Sequence, residues 1–382
     1  MTSAELARHF EDLFGSPPRI FRAPGRVNLL GEHTDYNEGF VMPCAIGFST
    51  CVAISPRRDR KLIIRSEDFS EQFEFDLDEL PSRGKGVWCD YVVGTAVMLQ
   101  EIGHPSPGAS LLVEGEVPIG AGLGSSAAIE VASALALMSV NGAHLPLPEV
   151  AKLCQRAENL FVGARVGIMD QFVSCLGKAG HALLLDCRSL EFKLLAIPED
   201  LRLVICNTMV KHEHASGTYN RRREECDEGV KILTQWYPNI RALRDISIEQ
   251  LEQHVAGIPQ TIYKRCLHVV SENQRVLAGA KYMTDGDASR FGCLMRESHR
   301  SLRDLFEVSC RELDVMAEIA ESLAGYCGGR MTGGGFGGCT VNLVKAADAQ
   351  KFAEEISERY QSAIGIKPDV YACSAANGAA AV

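Results

Sequence analysis

The sequence predicts a mixed α/β protein of two domains, on three observations. At 382 residues the chain is longer than one ordinary core serves, so two domains are expected. Short apolar runs alternate with Ala-rich or amphipathic segments of helical length, the pattern of layered helices and sheets. Two glycine-rich stretches, 120–124 and 328–338, lie next to strand-like runs without the polar spacers of a flexible linker.

From the N-terminus, MTSAELARHFEDLFG reads as an amphipathic helix, and its acidic residues set it apart from a signal peptide. Strands are expected over 20–24, 40–55 and 61–65, the second long enough to bend. SEQFEFDL at 70–77 alternates as a half-buried strand does. WCDYVVGTAVMLQEIG reads as a helix, LLVEGEV as a strand and AAIEVASALALMSV as a buried helix. PLPEVAKLCQRAENLFVG opens with proline at a helix start and closes at a glycine. HALLLDC and LRLVICNT suit buried strands, and from about residue 209 the pattern is mainly helical up to the glycine segment. The strand TVNLV, the helix DAQKFAEEISERYQSA and a strand around DVYACSA form a βαβ-like end. The division is expected between two strand-like segments, giving domains 1–197 and 198–382.

A hydrophobic fraction of 46% and a charged fraction of 23% are ordinary for a globular protein. The 39 basic and 49 acidic residues give a net charge of −10, which carries no general attraction for nucleic acid. The one basic run, Arg221 to Arg223, is followed at once by Glu224 and Glu225 and reads as a locally paired helix surface. No apolar stretch approaches a membrane span. Fourteen cysteines without C-x-x-C spacing suggest buried thiols in a reducing cytoplasm.

Three segments carry chemistry. GRVNLLGEHTDYNEG at 25–39 gathers Glu32, His33 and Asp35 around Thr34, with Arg26 and Asn28 just upstream. Two carboxylates and an imidazole so close together offer the acceptors and the switchable donor that neighbouring hydroxyls on one small molecule need. A polar loop between strands is the plainer alternative. VPIGAGLGSSAAIE at 117–130 places Gly120, Ala121, Gly122, Leu123, Gly124, Ser125 and Ser126 between a strand and a helix start. Glycine lets backbone approach a phosphate, and first-turn N–H groups point at it with the helix dipole behind them. No lysine precedes the serine pair, so this is not a Walker A loop, and G-x-G-x-G is not the dinucleotide spacing. A plain N-cap by the serines fits as well. GGRMTGGGFGGCTV at 328–341 reads as a tight glycine turn feeding a strand, with backbone packed close to another loop or a ligand.

In this order the three segments resemble the GHMP small-molecule kinases, and GEHTDYN narrows the likeness to the galactokinase subfamily. AENLFVGARVGIMDQF at 157–172 and KHEHASGTYNRRREEC at 211–226 extend it along nearly the whole chain. One departure stands out: the family's phosphate loop more often reads GLSSS, where this chain has Gly124 before Ser125 and Ser126.

The resemblance implies an α/β kinase half, a ferredoxin-like half and an active site in the cleft between them. It implies ATP-dependent, Mg²⁺-requiring phosphorylation of C1 of α-D-galactose, the entry to the Leloir pathway, by a cytoplasmic monomer. Galactose and ATP would be its partners, with neither nucleic acid nor membrane. By the same resemblance Asp170 is the base and Arg26 its partner on the transferring phosphate. Glu32, His33, Thr34 and Asp35 bind the sugar with Tyr219, and Trp88 meets the adenine. The loop 120–126 holds the phosphates, and Ser126 and Glu158 hold Mg²⁺. His212 and His214 lack a third ligand nearby and are not read as a metal site. A kinase for N-acetylgalactosamine, or a sugar and ATP sensor on the same scaffold, are the alternatives. Intact Arg26, Asp170 and Ser126 argue for catalysis.

Overall fold

The computed structural model describes residues 1–211 and 215–382, with side chains outside 211–216. Strands run β1 (Arg19–Asn28), β2 (Phe40–Val41), β3 (Pro43–Pro56), β4 (Lys61–Ser66), β5 (Glu71–Asp76), β6 (Ala109–Gly115), β7 (His181–Asp186), β8 (Phe192–Ala196), β9 (Leu201–Lys211), β10 (Tyr326–Thr332), β11 (Gly337–Lys345), β12 (Asp369–Cys373) and β13 (Ala380–Ala381). Helices run α1 (Ser3–Phe14), α2 (Asp90–Glu101), α3 (Ser125–Asn141), α4 (Leu147–Arg156), α5 (Met169–Leu176), α6 (Ala215–Leu233), α7 (Ile248–Gln253), α8 (Gln260–Thr284), α9 (Ala288–Ser301), α10 (Arg311–Glu321) and α11 (Ala349–Ile364).

The first sheet has the order β13-β1-β3-β6-β4-β5, with the β4–β6 pair parallel and its other pairs antiparallel. The Ala-rich helix α3 lies on β1 and β3, its small residues allowing close approach to the sheet. A bulge between Pro24 and Arg26 breaks the β1–β3 register and re-aims Arg26. Gly25 sits at that bulge because a side chain there would meet the Leu123 carbonyl at 2.6 Å. The glycine loop 120–124 is thus seated on β1, and the Arg26 N–H donates to Leu123 O at 2.8 Å.

The second sheet, β10-β11-β9-β12, is antiparallel throughout. Helices α10 and α11 cover one face through Met316, Phe352, Ile356 and Tyr360. Helices α8 and α9 bury Val276, Phe291 and Met295 with Leu203, Val341 and Leu343 of the same sheet. A third, short sheet, β2-β7-β8, joins the two halves. The final strand β13 returns to pair with Phe21 and Arg22 of β1, so the chain's last residues cross back over the expected division.

Several expectations are adjusted. The long strand over 40–55 is split: Phe40–Val41 pairs with β7 and Pro43–Pro56 with β1. Strand β8 was not expected from the sequence, because FKLLA is short and mostly exposed. The glycine segment is not one turn. Gly328 and Gly329 lie inside β10, and the turn begins at Gly333. The reason is packing: at Gly328 a Cβ would meet Gly292 Cα of α9 at 2.2 Å, and at Gly329 it would meet the Asn342 side chain at 2.2 Å. The expected helix over 146–163 becomes α4 followed by a π-helical turn, Ala157–Val162, which ends at Gly163 in the left-handed region. Such turns recur at functional sites, and this one carries Glu158.

Candidate active site

Arg26 and Asp170, expected to act together, meet in a two-pronged ion pair. Arg26 Nε donates to Asp170 Oδ1 at 2.7 Å and Nη2 to Oδ2 at 2.5 Å. Nη1 donates to the Gly122 carbonyl at 2.5 Å, which ties the pair to the glycine loop. Asp170 stands in the first turn of α5, and Arg26 comes from the bulge in β1. Both residues line each of two adjoining cavities.

The first cavity, about 410 Å³, opens between the glycine loop and an aromatic patch. Gly120, Gly122, Leu123, Gly124, Ser125 and Ser126 form its floor. Gly120, Gly122 and Gly124 have φ of 67°, 75° and 76°, the left-handed region where glycine is favoured. Gly124, in place of the family's usual serine, caps α3, and Ser125 and Ser126 keep their places at its first turn. Trp88 stands at the far wall, stacked on Phe69 with centroids 5.7 Å apart and planes at 11°. Its indole Nε1 donates to Glu71 at 2.8 Å. Ala121 does not face this cavity. Its side chain is buried in the core with Val27 and Cys339, and its carbonyl lies under Gly338, where a Cβ would sit 2.7 Å away.

The second cavity, about 620 Å³, is lined by Glu32, His33, Asp35, Tyr219 and the backbone of Gly333 and Gly334. Glu32 is held from three sides, by Asn28 Nδ2 at 2.8 Å, Arg330 Nη2 at 2.7 Å and Gly333 N–H at 2.6 Å. Burial raises its pKa, and Arg330 and Arg26 oppose that shift. His33 adopts φ +62°, and its Nδ1 lies 2.9 Å from the Tyr36 hydroxyl. Burial, with His268 nearby, pushes the imidazole down to about 3, so it is neutral near pH 7. Asp35 is pushed up to about 6 by burial and by the neighbouring Asp170 carboxylate. Gly167 underlies it, and a Cβ there would meet Asp35 Oδ2 at 1.9 Å.

Thr34 is a correction. Its side chain is fully buried, and its hydroxyl lies 2.8 Å from the Gly31 carbonyl and 2.7 Å from that of Phe40. It braces the loop and does not reach the cavity.

Ser126 and Glu158 come together beside Asp170. The Ser126 hydroxyl lies close enough to lower the Glu158 pKa, but burial followed by Asp170 outweighs it and pushes that carboxylate up to about 7. Gln171 Nε2 donates to Glu158 at 2.6 Å and to Glu130 at 3.1 Å. Glu130 is fully buried, and burial with the Glu158 charge raises its pKa well above the carboxylate range. Among the described residues no group of three or more His, Cys, Asp or Glu gathers as a metal site. The candidate ion site is instead a hydroxyl and a carboxylate. Hard oxygen donors of that kind suit Mg²⁺, which keeps several waters and needs few protein ligands. A cation there would also relieve the crowding of Glu158 and Asp170. His212 and His214 lie outside the described residues.

Sequence reasoning missed Phe69, Arg330, Gly167, Gln171 and Glu130. Two carried a readable signal: an arginine inside a glycine-rich strand and a glutamate inside an Ala-rich apolar helix each demand a buried partner. Phe69 and Gly167 carried none.

A strand–glycine loop–helix cavity joined through one ion pair to a polar cavity defines a small-molecule phosphotransferase of the GHMP kind. Family models agree in order along the chain. The galactokinase galactose-binding signature matches residues 8–56, the GHMP kinases N terminal domain 90–178 and the GHMP kinases C terminal 280–362. The chain is 44% identical over 379 residues to the galactokinase of Roseiflexus sp. (strain RS-1), covering 99% of this chain and 97% of that one. It is 44% identical over 374 residues to that of Chloroflexus aggregans, covering 98% and 96%. The crystal structure of Lactococcus lactis galactokinase complexed with galactose superimposes with a TM-score of 0.96 at 35% identity over 100% of both chains. The chain belongs to the galactokinase family.

Proposed function

We propose that this protein transfers the γ-phosphoryl group of ATP to the C1 hydroxyl of α-D-galactose, giving galactose 1-phosphate and so opening galactose use by the Leloir pathway. The observation that carries the reading is the Arg26–Asp170 pair shared by the two cavities. A nucleotide in the first and a sugar in the second bring phosphate and hydroxyl together at that pair.

Phosphoryl transfer needs positioning and charge stabilisation more than covalent chemistry. First-turn N–H groups of α3 and the loop glycines hold the phosphates, with the helix dipole behind them. Trp88 and Phe69 offer a flat apolar wall to the adenine. Glu32, His33, Asp35 and Tyr219 pair with the sugar hydroxyls. Asp170 accepts the C1 hydroxyl proton as that oxygen attacks the γ-phosphorus. Arg26 keeps Asp170 in place and faces the charge gathering on the transferring group. Ser126 and Glu158 would hold Mg²⁺, and the ion would supply neutralisation of the phosphate charge.

We further propose the boundary at 197–198 as the division between the two functional halves, and a cytoplasmic setting on the unpaired spacing of the cysteines. The test is an ADP-release assay with purified protein over a panel that includes galactose, glucose, N-acetylgalactosamine and a no-sugar control. Galactose-dependent ADP release is expected. Turnover confined to N-acetylgalactosamine, or none on any sugar, overturns the reading.

A further inference from the structure

We propose that His268 is a positioning residue for the sugar site, holding the Glu32–His33 peptide so that the His33 imidazole faces the cavity. The inference rests on the galactose reading above and names what sets the geometry of that site.

His33 adopts φ +62°, in the left-handed region that non-glycine residues take uncommonly, histidine more often than most. Its surroundings must therefore over-determine it. Asn37 Nδ2 holds the carbonyl on its C-terminal side, donating to His33 O at 2.9 Å. On its N-terminal side the Glu32 carbonyl lies 3.1 Å from His268 Nε2. A carbonyl can only accept, so Nε2 carries the proton. Nδ1 is then the acceptor, and the Ser301 hydroxyl, 2.8 Å away, donates to it. The Glu32 carbonyl thus fixes the tautomer, and the Ser301 hydroxyl, able to donate or accept, holds the ring at the angle that meets the peptide entering His33. His268 is fully buried, with burial lowering its pKa to about 4, so the neutral ring persists through the working range. Its ring also packs on Phe306, with centroids 4.6 Å apart, and Phe306 packs in turn on His33 at 4.7 Å.

His268 does not act alone on this loop. Further along α8, Glu272 accepts the Gly31 N–H at 2.8 Å and Asn273 Oδ1 accepts the Phe40 N–H at 2.8 Å. One helix from the second half of the chain therefore grips the sugar loop near both ends. His268 is the member of the three whose contact falls on the peptide next to the strained residue. None of the three lines either cavity, so their effect on substrate passes through the loop.

The experiment compares wild type with His268→Leu, His268→Gln and Ser301→Ala. It measures galactose KM, ATP KM, kcat, the thermal midpoint, and galactose binding to the nucleotide-free protein by calorimetry. His268→Leu leaves the Glu32 carbonyl without its donor, and galactose KM should rise about tenfold with kcat and ATP KM within about twofold of wild type. Glutamine places an amide N–H near the Nε2 position, so His268→Gln should recover galactose KM to within about threefold. Ser301→Ala frees the ring without opening the core, and should raise galactose KM by about threefold even if His268→Leu fails to fold. Galactose KM unchanged in both His268→Leu and Ser301→Ala, or equal rises in galactose and ATP KM, overturns the proposal. A fall in thermal midpoint with no change in galactose binding overturns it too. A wild-type protein that neither binds nor turns over galactose overturns the underlying reading instead, which separates the two failures.

Discussion

Replacing Arg26 with lysine keeps the charge and removes the fork. Arg26 donates three times, twice to Asp170 at 2.7 and 2.5 Å and once to the Gly122 carbonyl at 2.5 Å. An ammonium on a straight stem reaches one of these acceptors, so two contacts are lost. Hydrogen bonds involving a charged group are worth about 1.5–3 kcal/mol each, and water entering the gap recovers part of that. A net loss of about 3–4 kcal/mol in the transition state corresponds to a fall of about 10²–10³-fold in kcat. The contacts bind no ground-state sugar hydroxyl, so galactose KM should move by less than about threefold. Steady-state ADP release at saturating ATP, with the thermal midpoint as a control for folding, measures both. If Arg26→Lys keeps kcat within about threefold of wild type, the fork is not what aligns the reaction, and charge alone suffices.

Other outcomes follow from the same geometry. Asp35, pushed up to about 6, is the stronger acceptor for sugar hydroxyls when ionised, so galactose affinity is greatest above that pH and falls as pH drops through it. Calorimetry should show galactose Kd about tenfold weaker at pH 5 than at pH 7.5, and a flat profile would remove Asp35 from the sugar contacts. In Gly167→Ala the new Cβ takes the place of Asp35 Oδ2, 1.9 Å away, and must displace that carboxylate; galactose KM should rise about tenfold or more with ATP KM unchanged, while equal effects on both substrates would refute the local account. Glu158→Gln should raise the Mg²⁺ concentration for half-maximal rate, because a hard cation loses an anionic ligand. Asp35→Ala should leave that Mg²⁺ curve near wild type, and matching shifts in the two variants would undo the division of carboxylates between ion and sugar.

The sequence made some of this legible because certain residues are costly anywhere but at a site. Glu32, His33 and Asp35 within four positions announced a polar array, and the structure sets all three on one cavity. Alternating glycines before Ser125 announced backbone free to approach a ligand, and the structure adds that Gly120, Gly122 and Gly124 all take positive φ. The Arg26–Asp170 contact spans 144 positions and was reached by resemblance, not by pattern. Thr34 looked like its neighbours, but a threonine hydroxyl serves a turn as readily as a ligand, and only its buried place under Gly31 and Phe40 separates the two. Glycines 328 and 329 misled for a similar reason. Composition does not distinguish glycine kept for φ from glycine kept because a helix backbone lies on a strand, and Gly292 against Gly328 is the second case. The grip of α8 on the sugar loop was invisible, since His268, Glu272 and Asn273 read as ordinary residues of a long helix.

The central claim is galactose as acceptor at C1. Its most direct test is ³¹P NMR of the product formed from ATP, Mg²⁺ and an equimolar mixture of galactose and glucose. An axial 4-hydroxyl matched by buried polar partners should favour galactose by about 10–10²-fold, because each mispaired buried group costs about 1–3 kcal/mol. The account predicts a single sugar phosphate resonance, that of α-galactose 1-phosphate. Phosphate at C6, or glucose 1-phosphate formed at an equal rate, would contradict it.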